Sequence, residues 1–457
     1  MTLDKQQALD LARRCFSNVE DDLTSKYGLK DCKNWTTDDI LSTRSIARLW
    51  SGKGSIYVVT VRCTHSADKN SKNGNGCWKF IVKHITGSSS SSSRGMSFGD
   101  QRKADSYIVE ANFYSSVAPS LMQQAPSSSS QQQHRSLSSR PVMIPRPYYV
   151  EQTNDDIDDI STSDKNQQRI ICHRENEIVI CMSYLEHGKS YYSFHDEDIA
   201  QQLAIDWLAR FHASHWDGLP LMTGSINDHT SCSVSSSTLS LEGWVAKVGL
   251  QRQGNYWHLA TRPDEHESMS SHGWEGRLKR ASKAIDQCLR RDKMQALIHG
   301  DPKSENIMIM TTTETLDAKK KTAAFYDFQY CGQGSPTQDL AYYFCSTCDI
   351  DNDEDRLLSY YHERLVQELQ YRIDSMTPSS SSSTTSYEHV IPTLDHLKRS
   401  LDVAYADYCR FMSGWGYWGT SSSDVQRRTR SFLNKIDNGK DLKTEGAYDE
   451  AIRKVYW

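Results

Sequence analysis

One stretch limits what this chain can fold into more than any other: Leu297 to Met310, reading LIHGDPKSENIMIM. It opens on apolar Leu297 and Ile298, turns through His299, Gly300, Asp301 and Pro302, and resumes an apolar run at Ile307 to Met310. Two short apolar runs around a polar turn predict a loop pinned between two buried β-segments. Within that loop an acid at Asp301 is followed five residues later by an amide at Asn306. The pairing suits phosphoryl transfer, in which one group orients an attacking hydroxyl and the other holds a metal ion. Lys303 lies between them, placed to neutralise a moving phosphate.

The chain repeats the message. After a polar hairpin, Thr311 to Thr322, a second apolar strand from Ala323 to Tyr326 ends at Asp327, followed by Phe328 and Gln329. A strand that delivers an aspartate beside the first loop supplies a second hard oxygen ligand, so Asn306 and Asp327 are expected to grip Mg2+ together. An acid, an asparagine five residues on, and a strand-borne Asp-Phe about twenty residues later form a strong signal for a kinase-like C-terminal lobe.

His299-Gly300-Asp301 through Asn306, then Asp327-Phe328-Gln329, then Asp339-Leu340-Ala341, resembles the aminoglycoside phosphotransferase and choline-kinase-like branch of the kinase fold, and within it the ecdysteroid-kinase-like group. The likeness spans roughly residues 48 to 418 and is dense only at the motifs. It implies an α+β, protein-kinase-like two-lobe fold: a small N-lobe with an antiparallel sheet and one helix, and a larger, mainly helical C-lobe. It also implies ATP-dependent phosphorylation of a hydroxyl on a small molecule, with ATP and Mg2+ as cofactors. In the family the residue matching Asp339 braces the catalytic loop; an ordinary helix cap would occupy the same place.

At 457 residues the chain exceeds one ordinary core and fits two lobes with insertions. A formal charge of −5 gives no basic character, so a nucleic-acid partner is not expected. No apolar run is long enough to span a bilayer. The first residues, MTLDKQQALDLARRCF, read as an amphipathic helix instead of a signal peptide. Twelve cysteines without framework spacing suggest reduced thiols and a cytoplasmic protein. Cys345 and Cys348 lack a second pair, so a zinc site with His212 and His215 is not favoured. The acidic run Asp349 to Asp355 is no calcium loop, because Glu354 stands where glycine is required and Tyr360 where a glutamate is.

Three divisions follow: a helical extension over 1–45 that turns into a loop, an N-lobe over 46–182 and a C-lobe over 183–457. Serine-rich insertions fall at about 86–100, 124–140 and 377–387. In the N-lobe, Ser51-Gly52-Lys53-Gly54-Ser55 lies between strands, and Gly52, Gly54 and Ser55 are candidates to face the ATP phosphates; a plain hairpin reads the same way. In WKFIVKHI, Lys79, Ile81, Lys83 and Ile85 share a face. Lys83 is the candidate phosphate-gripping lysine and matches the family's third-strand lysine, with Lys79 the alternative one register step earlier. A helix over about Gln101 to Ala118, with Ile108, Ala111 and Tyr114 or Ser115 as its stripe, carries Glu110, which the family implies pairs with Lys83. The strand Glu177 to Met182 leads into a hinge where adenine would meet backbone groups from Ser183 to Leu185, between apolar Val58 and Met308.

Helices are expected at Ile199–His215, Leu241–Leu250, Gly273–Leu289, Arg356–Ile373 and Leu394–Trp415. His212 is expected to pack or hydrogen-bond beneath the catalytic loop. Trp415, Tyr417 and Trp418 form an aromatic cluster that reads either as helix core or as an acceptor pocket able to cradle an ammonium. The expected enzyme is a small-molecule kinase in which Asp301 takes the acceptor's proton; a catalytically silent nucleotide-binding scaffold of the same fold is the alternative. A protein kinase fits less well. Gly300 stands where those enzymes carry arginine, and only about a dozen residues separate Asp327 from Asp339, too few for a peptide-binding segment. The acceptor and the oligomeric state are not legible.

Overall fold

The computed structural model describes residues 3–27, 29, 32–49, 52–63, 77–86, 97–122, 142–152, 177–221, 240–315, 318–376, 390–417 and 422–456. The expected serine tracts at 88–93, 126–140 and 379–386, the acidic insert 154–159, the strand 169–172, the loop 227–238 and Trp418 lie outside them. Two compact units emerge, residues 1–119 with 145–186, and 120–144 with 187–457. The first holds a five-stranded antiparallel sheet and the second is mainly helical, which is the fold class the motifs imply.

In the first unit, α1 (Lys5–Asn18) begins with a capping box in which Asp4 and Gln7 satisfy each other's backbone. A short α2 (Glu20–Tyr27) follows. The sheet comprises β1 (Ile40–Arg48), β2 (Gly54–Arg62), β3 (Cys77–Ile85), β4 (Pro147–Gln152) and β5 (Ile178–Ser183), in the order β1-β2-β3-β5-β4. Alternation along β3 puts Trp78, Phe80 and Val82 on one buried face. Against that face α1 lays Ala8, Leu9, Ala12, Cys15 and Phe16. Phe16 meets Trp35 edge-on at 5.4 Å, and Trp35 leads to Trp78 at 6.2 Å.

Residues 1–45 are therefore no separate extension. Their first helix supplies five of the twenty described buried residues of the unit's core, and the expected loop before residue 46 already contains most of β1. The period-2 signal is faint in β1 because nearly all its residues are exposed on this edge strand. Helix α3 (Phe98–Asn112) starts inside the stretch expected to be an insertion, capped by Ser97, and leads through a wide turn at Phe113–Val117 into α4 (Ala118–Met122). Its buried stripe runs through Tyr107, Glu110, Ala111 and Tyr114, leaving Ile108 partly exposed.

The second unit contains β6 (Lys189–Ser190), α5 (Glu197–Ser214), α6 (Leu241–Lys247), α7 (Pro263–Ser268), α8 (Gly273–Arg290), β7 (Ala296–Ile298), β8 (Ile307–Thr315), β9 (Ala318–Phe325), β10 (Gly332–Gly334), α9 (Pro336–Thr347), α10 (Ile350–Met376), α11 (Leu394–Trp415), α12 (Ser422–Asp437) and α13 (Glu445–Tyr456). The expected polar hairpin is the far end of a β8–β9 ladder that pairs Ile307 with Phe325 and Thr313 with Lys319. Below it, Trp207 of α5 stacks on Phe325 at 4.0 Å and on Phe211 at 4.7 Å, while its indole N–H donates to the Met143 carbonyl at 2.7 Å. Among the described residues no helix is long and apolar enough to cross a membrane.

Because Phe16 of α1 is buried in that core, Phe16→Ala should destabilise the protein by about 3–5 kcal/mol, the usual cost of truncating a buried phenylalanine. Urea unfolding followed by tryptophan fluorescence measures this; a midpoint within error of wild type would show that α1 is dispensable to the sheet.

Candidate active site

The loop between β7 and β8 is built around a sharp reversal at Gly300, whose φ is +83°. A Cβ there would lie 2.2 Å from the Tyr330 carbonyl oxygen and 2.8 Å from the Asn255 amide nitrogen. Only glycine fits both the conformation and the space. The reversal strands the amides of His299 and Gly300, and both donate to one carboxylate: His299 N to Asp339 Oδ2 at 2.7 Å and Gly300 N to Asp339 Oδ1 at 2.8 Å. Asp339 lies in the first turns of α9, but that helix is capped by Ser335 and Gln338, so the carboxylate serves the loop. The imidazole Nε2 of His212 completes the set at 3.1 Å, and its Nδ1 lies 2.8 Å from the Tyr361 hydroxyl.

His299 ties the loop to the following strand. Burial pushes its pKa down to about 4, so the ring is neutral at physiological pH. Nε2–H donates to the Tyr326 carbonyl at 3.1 Å and Nδ1 accepts from the Asp301 N–H at 3.3 Å. Further on, Tyr326 N–H donates to the Asn306 carbonyl at 3.1 Å. The ladder thereby sets Asn306 opposite Tyr326 and places Asp327 next along the chain.

Asp301 is 3% exposed. Lys303 Nζ reaches its Oδ2 at 2.9 Å, and the Asn306 amide donates to the same oxygen at 3.1 Å and to the Asp301 backbone carbonyl at 2.9 Å. Among the described residues the buried Oδ1 has no hydrogen bond of full geometry, although the Tyr342 hydroxyl acts on the carboxyl as a nearby donor. Burial raises the carboxyl to about 6; Lys303 pulls the other way, and the charge of Asp327 adds to the rise. Burial also works against the charge on Lys303, but the ion pair with Asp301 outweighs it and the ammonium is held above its usual range. Asp327 has φ +68°, a left-handed conformation unusual for a residue with a side chain, and its Oδ1 accepts from Gln329 Nε2 at 2.6 Å.

Asn306 spends its amide nitrogen on Asp301, which turns its amide oxygen away from that carboxylate. That oxygen and the oriented Asp327 carboxylate are hard donors suited to Mg2+. Among the described residues no group of three or more His, Cys, Asp and Glu side chains is placed to hold a metal alone. The donor set fits an ion that takes its remaining ligands from phosphates and water.

The first unit holds the other candidates. Lys83 Nζ lies 2.5 Å from Glu110 Oε2, with both side chains buried. Ile56 pairs with Lys83 and Val58 with Ile81, so these four share the face opposite the α1 core. Lys79 is exposed, with Nζ 5.9 Å from the Tyr184 ring. Gly52 and Gly54 have φ of +70° and +153°, and a Cβ on Gly54 would lie 2.1 Å from the His84 carbonyl; Ser55 pairs with Arg48 and His84. At the end of β5, Ser183 is already engaged: its N–H donates to the Arg146 carbonyl at 2.8 Å and its Oγ accepts from Arg146 N at 2.9 Å. Leu185 is partly exposed just beyond it. In the second unit Met308 is partly exposed between buried Ile307 and Ile309.

His215, weighed with His212 as a zinc ligand, stacks on Trp244 at 4.5 Å, and burial pushes its pKa down to about 3. Cys345 and Cys348 are buried, and the described cysteines are free thiols.

Residues 259–372 match the model of the ecdysteroid kinase-like family. This stretch is similar to that family. It takes in the Asp301 loop, Asp327 and Asp339, the motifs on which the resemblance was drawn. Among curated proteins none matches the chain. Solved structures similar to it include an amicoumacin kinase with AMP-PNP and Ca2+ (10% identity, 93% of this chain and 95% of that one, TM-score 0.39), a choline kinase from Streptococcus pneumoniae (11%, 91% and 97%, 0.35) and an ethanolamine kinase from Plasmodium vivax (12%, 99% and 94%, 0.34).

Sequence reasoning passed over Asn255, whose φ of +110° and N–H bond to the Tyr330 carbonyl at 3.0 Å hold a second segment against the Gly300 loop. Tyr256 N–H donates to the Gly300 carbonyl at 2.9 Å. Nothing in the local text around Gly254-Asn255 marks it, because the partner lies more than forty residues away.

Gly300→Ala should therefore cost about 3 kcal/mol or more, through strain and overlap together. Gly416, which caps α11 at φ +97° with open space around it, serves as the control and should lose only about 1–2 kcal/mol on the same change. Equal losses of thermal stability in the two variants would show that the loop does not need the close approach.

Proposed function

We propose that the protein transfers the γ-phosphate of ATP to a hydroxyl of a small molecule, with Asp301 as the group that takes the acceptor's proton. The observation that carries this reading is the state of Asp301. One oxygen is fixed by Lys303 and Asn306, the other is buried with no hydrogen bond of full geometry, and burial brings the pKa to about 6. A carboxylate held that way can align a hydroxyl through Oδ1 and accept its proton near neutral pH. As the acceptor oxygen bonds to the γ-phosphorus and the bond to ADP breaks, the proton passes to Asp301, and the Lys303 ammonium balances charge on the transferring group.

Mg2+ held through Asn306 and Asp327 would neutralise charge on the nucleotide's phosphates. Lys83, oriented by Glu110, fits the role of anchoring phosphates, with the turn Gly52, Gly54, Ser55 offering backbone amides. Because the Arg146 carbonyl holds the Ser183 N–H, adenine's backbone contacts fall to Leu185, with Val58 and Met308 as apolar candidates. The acceptor is a small-molecule alcohol.

Asp301→Asn should lower turnover about 10²–10⁴-fold, the usual worth of a general base, while leaving ATP affinity nearly unchanged. A coupled assay of ATP consumption against pooled small-molecule alcohols, with this variant as the blank, tests the reading. Equal consumption by the two proteins would end it.

The wild-type kcat/KM should rise with pH and level off above about 6, as Asp301 ionises. Stability runs the opposite way. The folded pKa lies above the unfolded value of about 3.9, so the fold favours the protonated acid; that stabilisation is complete below about pH 4 and is lost as pH rises through about 6. Asp301→Asn should thus melt no lower than wild type at pH 8 despite its lost activity, and a clearly lower melting temperature would contradict the buried-charge account.

A further inference from the structure

The guanidinium of Arg262 is 1% exposed and stands over three aromatic rings. Its central carbon lies 4.2 Å from the centroid of Tyr256, 5.1 Å from that of Phe411 and 5.1 Å from that of Trp415. The rings form a box: Tyr256 and Trp415 lie 5.9 Å apart and 30° from parallel, and Phe411 meets them edge-on at 5.6 Å and 4.9 Å. Nε and Nη2 donate to the Tyr256 carbonyl at 3.0 Å and 2.7 Å, and Nη1 donates to Glu265 Oε1 at 2.9 Å. The arrangement is preorganised at every nitrogen.

This box adjoins the candidate catalytic loop. Tyr256 N–H donates to the Gly300 carbonyl, and its ring meets that of Tyr330 at 5.0 Å. The Tyr256 hydroxyl lies within electrostatic reach of both Asp301 and Lys303. Tyr256 is partly exposed and Trp415 is 38% exposed, so the box has an outer edge toward solvent while Arg262 fills its interior.

Three aromatic faces around one cation are the means by which proteins bind quaternary ammonium groups. Here the cation belongs to the chain. A guanidinium is charged at every working pH, so no titration empties the box. Glu265 balances the charge overall, yet the ring faces that an ammonium would need are spent on Arg262.

We infer that Arg262 is a specificity-determining residue, a built-in cation that fills the aromatic box beside Asp301 and restricts the hydroxyl acceptor to compounds without a positive centre. The inference rests on the reading of Asp301 as the group that activates the acceptor. Arg262 itself acts by occupying the rings, so a choline-like alcohol is rejected while neutral or anionic alcohols are admitted.

The test is calorimetric titration of tetramethylammonium chloride into the full-length protein, against a sodium chloride blank at equal ionic strength. Wild type should show no saturable binding. Arg262→Met, of similar length and no charge, should bind the probe with affinity raised about tenfold or more over wild type. Arg262→Gln, which keeps a donor for the Tyr256 carbonyl, carries the same expectation should the methionine variant not fold. Saturable binding to wild type that Trp415→Leu abolishes would overturn the inference, as would a folded Arg262 variant, by circular dichroism, that gains nothing. AMP-PNP is titrated into the same samples. Failure of wild type to bind it sinks the kinase reading, while the tetramethylammonium result still decides whether Arg262 closes the box.

Discussion

The buried carboxylate of Asp339 is the interaction on which the rest of the site depends. A loop that reverses at Gly300 cannot give its amides to a strand partner, and two unpaired N–H groups in a dry interior would each cost free energy comparable to a lost hydrogen bond. Asp339 satisfies both and is itself satisfied by them and by His212, so a charge with no solvent exposure is held by three donors. This acid, in the first turn of a helix that Ser335 and Gln338 already cap, is thus the reason the loop has a single shape. Asp301 inherits its position from that shape.

Position alone does not fix direction, and direction comes from the ladder. His299 spans from the Asp301 amide to the Tyr326 carbonyl, and the Asn306 carbonyl takes the Tyr326 N–H, so loop and strand end move as one piece. Beneath them the stack of Trp207, Phe325 and Phe328 gives the rigid apolar floor. Strained backbone collects where this floor meets the polar groups: Asp327 at φ +68° and Asn255 at φ +110°. Such conformations persist only where surrounding packing over-determines them.

Much of this was legible before any coordinates because it is local. The β7–loop–β8 signal lies in fourteen consecutive residues, and Asp327 ends a strand whose register follows from its own hairpin. Long-range pairings were legible only where the family resemblance supplied them, as with Lys83 and Glu110, 27 residues apart. What stayed hidden is what local text cannot encode. β1 does not alternate because an exposed edge strand has no buried face to impose a period, and α1 looked like an appendage because its partner face, Trp78, Phe80 and Val82, lies sixty residues on. Ser183 was read as a free hinge group, since nothing adjacent announces that Arg146 already holds its amide. Of the aromatic cluster expected at the end of α11, only Trp415 among the described residues meets the guanidinium, which comes from a residue about 150 positions earlier, while the Tyr417 hydroxyl donates to Glu275.

Charge decides what such a floor is good for. The charge of Asp327 makes the ionisation of Asp301 harder, and of the groups acting on Asp301 it is Lys303 that most eases it. A buried acid beside a second one is costly to keep ionised, and the cost falls whenever a proton or a cation arrives. Asn306 adds a neutral oxygen at the same place without adding to the repulsion, which is why an amide suits that position better than a third acid would. The carboxylates therefore make the loop a place that favours positive charge. The neighbouring aromatic faces differ from it, because they already carry the guanidinium of Arg262.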